Sequence, residues 1–256
     1  MPAEMHPSTL EITEQVFILP GSVSRYPEQG MVYIAMPESY ADQTSIPFVV
    51  AIHGSKRGAL DYRDNAFYRA QRDITLRHGC LFAAVSNSYD TWGLDSGLHN
   101  VNLLVEYLME HYPVQKQAIL WASSAGGVLA NRMVMEYPEK VAFVLGTFPV
   151  YDLCSVFTLD NCKNAWDTKC FLEFRKRIEG RNPADYPDTL RKHHFYITHG
   201  SNDTAVPIEA NALKMKADLG DHVCLEIIDG GVHGTANFDF YGNAVNSAFQ
   251  HHIMTI

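Results

Sequence analysis

A serine hydroxyl is a poor nucleophile at neutral pH and becomes useful only beside a base that takes its proton and an acid that orients the base. This chain offers such a set at three separated positions. Ala122-Ser123-Ser124-Ala125-Gly126 follows the apolar run Ala118-Ile119-Leu120-Trp121 and precedes Val128-Leu129-Ala130. That pattern reads as a strand turning sharply into a helix around one serine. So tight a turn leaves no room for large side chains at the flanking positions. Centring it on Ser124 puts Ala122 and Gly126 there, whereas centring it on Ser123 puts Trp121 there, so Ser124 is the expected nucleophile.

The partners follow in the order such an elbow requires, acid before histidine. Phe195-Tyr196-Ile197-Thr198 reads as a strand that ends in His199-Gly200-Ser201-Asn202-Asp203-Thr204-Ala205-Val206-Pro207, with Asp203 on the turn. Val223-Cys224-Leu225-Glu226-Ile227-Ile228 runs into Asp229-Gly230-Gly231-Val232-His233-Gly234, where the glycines allow a histidine to be aimed back across the sheet. His233 is expected to take the serine proton and return it to the leaving group, and Asp203 to hold its tautomer and stabilise the imidazolium. Asp152, beyond the segment ending near Val150, is the alternative acid. His53 reads as a brace for its own loop, because the base should follow the acid, and His199, His222, His251, His252 and the pair His193-His194 have no comparable placement. No His-Glu-x-x-His helix or carboxylate cluster points to a metal, and no Gly-x-x-x-x-Gly-Lys-Ser/Thr or Gly-x-Gly-x-x-Gly loop points to a nucleotide cofactor, so none is expected.

Four segments, Ile52-His53-Gly54-Ser55, residues 122–126, residues 199–207 and Gly231-Val232-His233-Gly234, make the chain resemble the α/β-hydrolase superfamily over nearly its whole length. The His-Gly pair and the His-Gly-x-x-Asp-x-x-Val-Pro segment are most similar to the catalytic domains of prolyl-oligopeptidase-type serine hydrolases. They are also similar to those of small esterases of the feruloyl-esterase or polyhydroxybutyrate-depolymerase kind, with Ala122 where Gly is commoner. The resemblance implies hydrolysis of small-molecule carboxylic esters through an acyl-enzyme. An amidase or peptidase of the same fold is the nearest alternative, and a non-catalytic binding protein a more distant one. The oxyanion formed on attack needs preorganised donors. The expected ones are the backbone amides of Ala125, at a helix start whose dipole favours negative charge, and of Ser55, beside a glycine that lets the backbone approach.

The elements that must position these groups are legible as apolar runs. Residues 11–19 and 31–36 read as strands near a sheet edge. Residues 48–52, 80–85, 118–121, 141–145, 195–198 and 223–228 read as strands buried on both faces. Helical spacing lies between them, clearest at Val101, Leu104, Val105 and Leu108 and at Ala212, Leu213 and Met215, and residues 241–253 read as a closing helix. The expected fold is therefore α/β, a mostly parallel central sheet with helices on both faces. It forms one domain over residues 1–256, with a cap-like insertion at about 151–192 that lies over the carboxyl ends of the strands. Phe157, Trp166, Phe171 and Tyr186 of that insertion, with Tyr89 and Trp92, are expected to line a substrate pocket.

Composition narrows the partners. With 20 basic against 29 acidic residues and a net charge of -9, the chain lacks the cationic surface that displaces counterions from nucleic acid. No run approaches the roughly 20 apolar residues of a membrane span, and Met1-Pro2-Ala3-Glu4-Met5-His6-Pro7 has no signal-peptide character, so a cytoplasmic location is expected. Cys154, Cys162 and Cys170, spaced by eight, are expected to be separate thiols.

Overall fold

Eight apolar runs form eight strands of one sheet in the computed structural model, which describes residues 11–40, 43–234 and 241–252. The strands are β1 (Ile12–Ile18), β2 (Met31–Pro37), β3 (Phe48–Ile52), β4 (Leu81–Val85), β5 (Ala118–Ser123), β6 (Val141–Thr147), β7 (Phe195–Gly200) and β8 (Val223–Ile228). Their order is β1-β2-β4-β3-β5-β6-β7-β8. β1 pairs antiparallel with β2 and β2 with β4, and all other pairs are parallel. β1 alone is an edge at that end; β2 lies between β1 and β4, with Val32 to Ala35 buried. The opposite edge, β8, is half-exposed rather than covered on both faces, as the last strand of the sheet order among the described residues.

The helices among the described residues are α1 (Asp61–Asp64), α2 (Ala66–Arg77), α3 (Asp95–His111), α4 (Gly126–Glu136), α5 (Asp160–Ala165), α6 (Phe171–Arg177), α7 (Pro187–Leu190), α8 (Ala212–Leu219) and α9 (Asn243–His252). Successive strand residues point to opposite faces. Val50, Ile52, Leu81, Ala83, Leu120 and Ala122 pack on one side against α3, α4 and α8, whereas Val49, Ala51, Phe82, Trp121 and Phe143 pack on the other against α2 and α9. In α3 the buried Leu98, Val101, Leu104, Val105 and Leu108 recur at three and four, the apolar stripe of a helix laid on a sheet. The expected closing helix is α9, and position 253 lies outside the described residues, as does the segment 1–7 read for a leader. No helix among the described residues is long and apolar enough to cross a membrane.

The topology itself converges the site. The chain passes from β3 to β4 on one side and then returns to β5 on the other, so β3 and β5 are neighbours whose carboxyl ends open a crevice at the reversal. Ser55 follows β3, Ser124 follows β5, Phe148 follows β6, Asp203 follows β7 and His233 follows β8. Between β6 and β7, α5, α6 and α7 fold over this edge. Their Cys162, Ala165, Trp166, Phe174 and Ile178 pack on Trp92, Ala125, Val128 and Val206. Cys154, Cys162 and Cys170 in this region are unpaired thiols.

Burial also sets a pH limit on stability. Desolvation holds the imidazoles of His53, His78, His194 and His252 below the usual histidine range, with neighbouring histidines adding to the effect at His194 and His252. These groups bind protons more readily when the chain is unfolded, so their contribution is intact above about pH 6.5 and is lost as pH falls below it. The urea midpoint is expected to drop between pH 7.5 and 5.5, and the drop to shrink in a His194→Gln/His252→Gln variant. A midpoint flat across that range would contradict this.

Candidate active site

The strand-to-helix turn at Ser124 is held from several sides. Ser124 has φ +53°, a left-handed conformation that costs a non-glycine residue about 1–3 kcal/mol. Its amide donates to Thr147 O at 3.2 Å and its carbonyl accepts from Val150 N at 2.9 Å, which ties the strained residue to the loop after β6. A Cβ on Gly126 would stand 2.7 Å from His53 O and closer still to Ile52 O, so the small flanking residue is required by the approach of β3. Ser123 is buried, its hydroxyl accepting from Gln71 Nε2 at 2.9 Å, and so faces away from the crevice.

Ser124 Oγ lies 3.1 Å from His233 Nε2, and His233 Nδ1 lies 2.7 Å from Asp203 Oδ2. Three residues from three loops thus form one continuous hydrogen-bonded line. Asp203 is inaccessible at its side chain, while His233 keeps 24% of its own exposed. Burial alone would raise the Asp203 carboxyl pKa, but hydrogen bonds from His199 and His233 and from the Val206 amide outweigh it and hold the group well below the usual carboxylate range. The Oδ1 atom accepts from Ala205 N at 3.0 Å and Val206 N at 2.8 Å. Asp152, the alternative acid, is committed elsewhere: its Oδ1 accepts from Cys154 N and Asn182 Nδ2.

His199 is more involved than its sequence context implies. It is buried, its Nε2 lies 2.9 Å from Val206 O and 3.4 Å from Asp203 Oδ2, and it backs the carboxylate that His233 faces. Phe148 carries no signal in the sequence, yet its ring packs 4.4 Å from that of His233. Neither position carries a pattern that distinguishes it from core, because each acquires its neighbour only when separate strands are aligned.

The amides of Ser55 and Ala125 make no hydrogen bond among the described residues, and both adjoin Ser124, Ala125 as the residue next to it at the start of α4 and Ser55 from the neighbouring strand end. His53 braces this loop from beneath. Its Nδ1 hydrogen-bonds Gly54 O at 2.7 Å, its Nε2 accepts from Asn87 N at 2.8 Å, and burial keeps it neutral, as that acceptor role needs. Tyr68 OH accepts from Gly54 N at 3.3 Å, and Trp92 Nε1 donates to Ser55 Oγ at 2.9 Å.

A cavity of about 630 Å³ opens beside Ser124 and His233, with walls that include Tyr68, Trp92, Phe148 and the Leu159-Asp160-Asn161 turn at the start of α5. Of the aromatic residues expected in a pocket, Trp92 lines it. Trp166 does not, since its indole is buried and donates to Trp92 O, and its edge borders a neighbouring groove instead. Phe171 is half-exposed against Phe157, and Tyr89 packs on Tyr26. The reason is the orientation of α5, which presents its first turn to the serine and carries the later aromatics away. No group of His, Cys, Asp and Glu among the described residues is arranged to hold a metal ion.

The model of the prolyl oligopeptidase family matches residues 94–244, a span that contains Ser124, Asp203 and His233. The fold is similar to that of a prolyl endopeptidase, with a TM-score of 0.72 and 14% identity over 96% of this chain; the chain spans 39% of that protein's length. It is similar to carboxyl esterase 2 of the mycorrhizal fungus Tuber melanosporum, with a TM-score of 0.68 and 15% identity over 98% of this chain and 87% of that one. It is also similar to S-formylglutathione hydrolase of Staphylococcus aureus, with a TM-score of 0.68 and 14% identity over 95% and 99% of the two chains. No curated protein matches the chain in sequence. At such identities the structural likeness is one of fold, that of the α/β-hydrolases.

Proposed function

The chain belongs to the prolyl oligopeptidase family and is a serine hydrolase of α/β-hydrolase fold, and from that premise we propose that it cleaves small carboxylic esters through an acyl-enzyme on Ser124. The observation that carries this reading is the line Ser124 Oγ, His233, Asp203 with separations of 3.1 and 2.7 Å. His233 takes the hydroxyl proton as Ser124 attacks the ester carbonyl, and Asp203 stabilises the imidazolium that results. The amides of Ser55 and Ala125 receive the oxyanion, a donor of this kind being worth about 2.7–4 kcal/mol in the barrier. His233 then protonates the departing alcohol, and water repeats the sequence to release the acid. The segment 151–192 is read as a cap whose Leu159-Asp160-Asn161 turn forms one wall of the cavity.

Esters are favoured because the esterase and the S-formylglutathione hydrolase resemble this chain over most of their own length. The peptidase reading rests on the family itself and on the prolyl endopeptidase fold. Turnover of 4-nitrophenyl acetate and butyrate against matched 4-nitroanilides separates the two. Ester kcat/KM is expected to exceed anilide kcat/KM by more than the intrinsic difference between the bonds, which is taken from their hydroxide rates. A ratio no greater than that intrinsic difference, with the anilides turned over efficiently, would make the protein an amidase or peptidase.

A further inference from the structure

We propose that the substrate carries a carboxylate beside its scissile ester, recognised by Lys56; this deepens the hydrolase reading and rests on it. Lys56 immediately follows Ser55, whose amide is the oxyanion donor, and both residues line the cavity that holds Ser124 and His233. The charges around that cavity do not cancel. Arg57 is paired with Asp61 at 3.3 Å, and Asp160 on the opposite wall with Lys163 at 2.8 Å. Lys56 has no carboxylate within ion-pair distance among the described residues, and its ammonium stands 5.8 Å from the Tyr89 ring. Glu28 borders a smaller cavity of about 190 Å³ on the far side of Lys56 and Arg57 without pairing with Lys56. One cation without an ion-pair partner among the described residues therefore borders the cavity that holds Ser124 and His233, in a chain whose net charge is -9.

The backbone at this position is one that a lysine rarely adopts. Lys56 has φ +61°, where glycine is favoured and a lysine is strained. The sequence there, Gly54-Ser55-Lys56-Arg57-Gly58, already has glycines on both sides, so the strained position carries the long cation. A flexible ammonium at the mouth of a partly enclosed cleft attracts an anionic substrate group and anchors it one residue from the oxyanion site. The carboxylate can reside on the acyl or on the alcohol side, and each side has its own probe.

The test compares kcat/KM for charged and neutral members of two ester pairs. The acyl pair is 4-nitrophenyl hydrogen glutarate and its methyl ester; the alcohol pair is 3-carboxy-4-nitrophenyl acetate and its methyl ester. Each charged-to-neutral ratio is measured in the natural protein and in Lys56→Gln, Lys56→Arg and Asp160→Asn, so that intrinsic reactivity cancels between proteins. In one pair, Lys56→Gln is expected to lower the ratio about threefold to fivefold, the upper scale of an exposed ion pair. Lys56→Arg should retain the preference, Asp160→Asn should raise it, and added salt should weaken it. The pair that responds tells which side of the ester bears the carboxylate. Ratios that move less than about 1.5-fold in both pairs on Lys56→Gln would overturn the proposal while leaving the hydrolase reading intact. Failure of the natural protein to turn over any of the four esters would overturn both.

Discussion

Ser124→Ala is expected to reduce ester kcat by about 10⁴-fold or more while leaving a folded protein, whereas Ser123→Ala retains activity within about tenfold. The difference follows from the direction of the two side chains. Ser124 Oγ meets His233 Nε2, and its removal deletes the nucleophile without changing the backbone demands at φ +53°. Ser123 Oγ is turned inward to Gln71 Nε2, which also donates to Tyr241 OH at 3.3 Å and so keeps a partner when the Ser123 hydroxyl is lost. Steady-state kinetics with circular dichroism on both variants checks the pair. Equal losses at the two serines would mean that the elbow acts only as packing.

The second large effect is expected at the acid. Asp203→Asn should lower kcat by about 10³- to 10⁴-fold, because an amide can hold the wrong imidazole tautomer and cannot stabilise the imidazolium. Asp152→Asn should change kcat less than about threefold. Asp152 caps the short turn Leu153–Val156 through Cys154 N, and asparagine caps nearly as well. The hydrogen bonds that hold the Asp203 pKa low keep it ionised from pH 6 to pH 9, so the loss in Asp203→Asn should persist across that range. The reverse ranking of the two variants would move the acid to the end of β6.

The frame of this molecule was readable because buried strands write themselves as apolar runs, and all eight runs became strands. What periodicity could not give was neighbourhood. Residues 31–36 looked like an edge, yet β2 is enclosed because β4 crosses to its far side, a consequence of strand order and not of the residues in β2. Ser124, Asp203 and His233 were legible as candidates because each lies on a distinctive local turn, and the structure brings the three together. Phe148, Tyr68 and His199 were not, since an aromatic or a histidine on a helix or at a strand end looks the same whether it meets core or the candidate site. The cavity wall is a related case. Residue type in the 151–192 segment points to the aromatics, but the first turn of α5 brings Leu159, Asp160 and Asn161 to the cavity, and Trp166 donates to Trp92 O. Lys56 carries no such signal, because charge at one loop position gains meaning only where Asp61 and Lys163 neutralise the neighbouring charges.

The central claim, that Ser124 is activated by His233 to attack an acyl carbon, is tested most directly by trapping. Incubation of the natural protein with an alkyl fluorophosphonate, followed by proteolysis and tandem mass spectrometry, should place a single phosphonyl adduct on Ser124 Oγ. Labelling should keep pace with loss of esterase activity and be suppressed at least about 10²-fold in a folded His233→Gln variant. An adduct on Ser123 or another serine, or labelling of Ser124 that is indifferent to His233, would contradict the account.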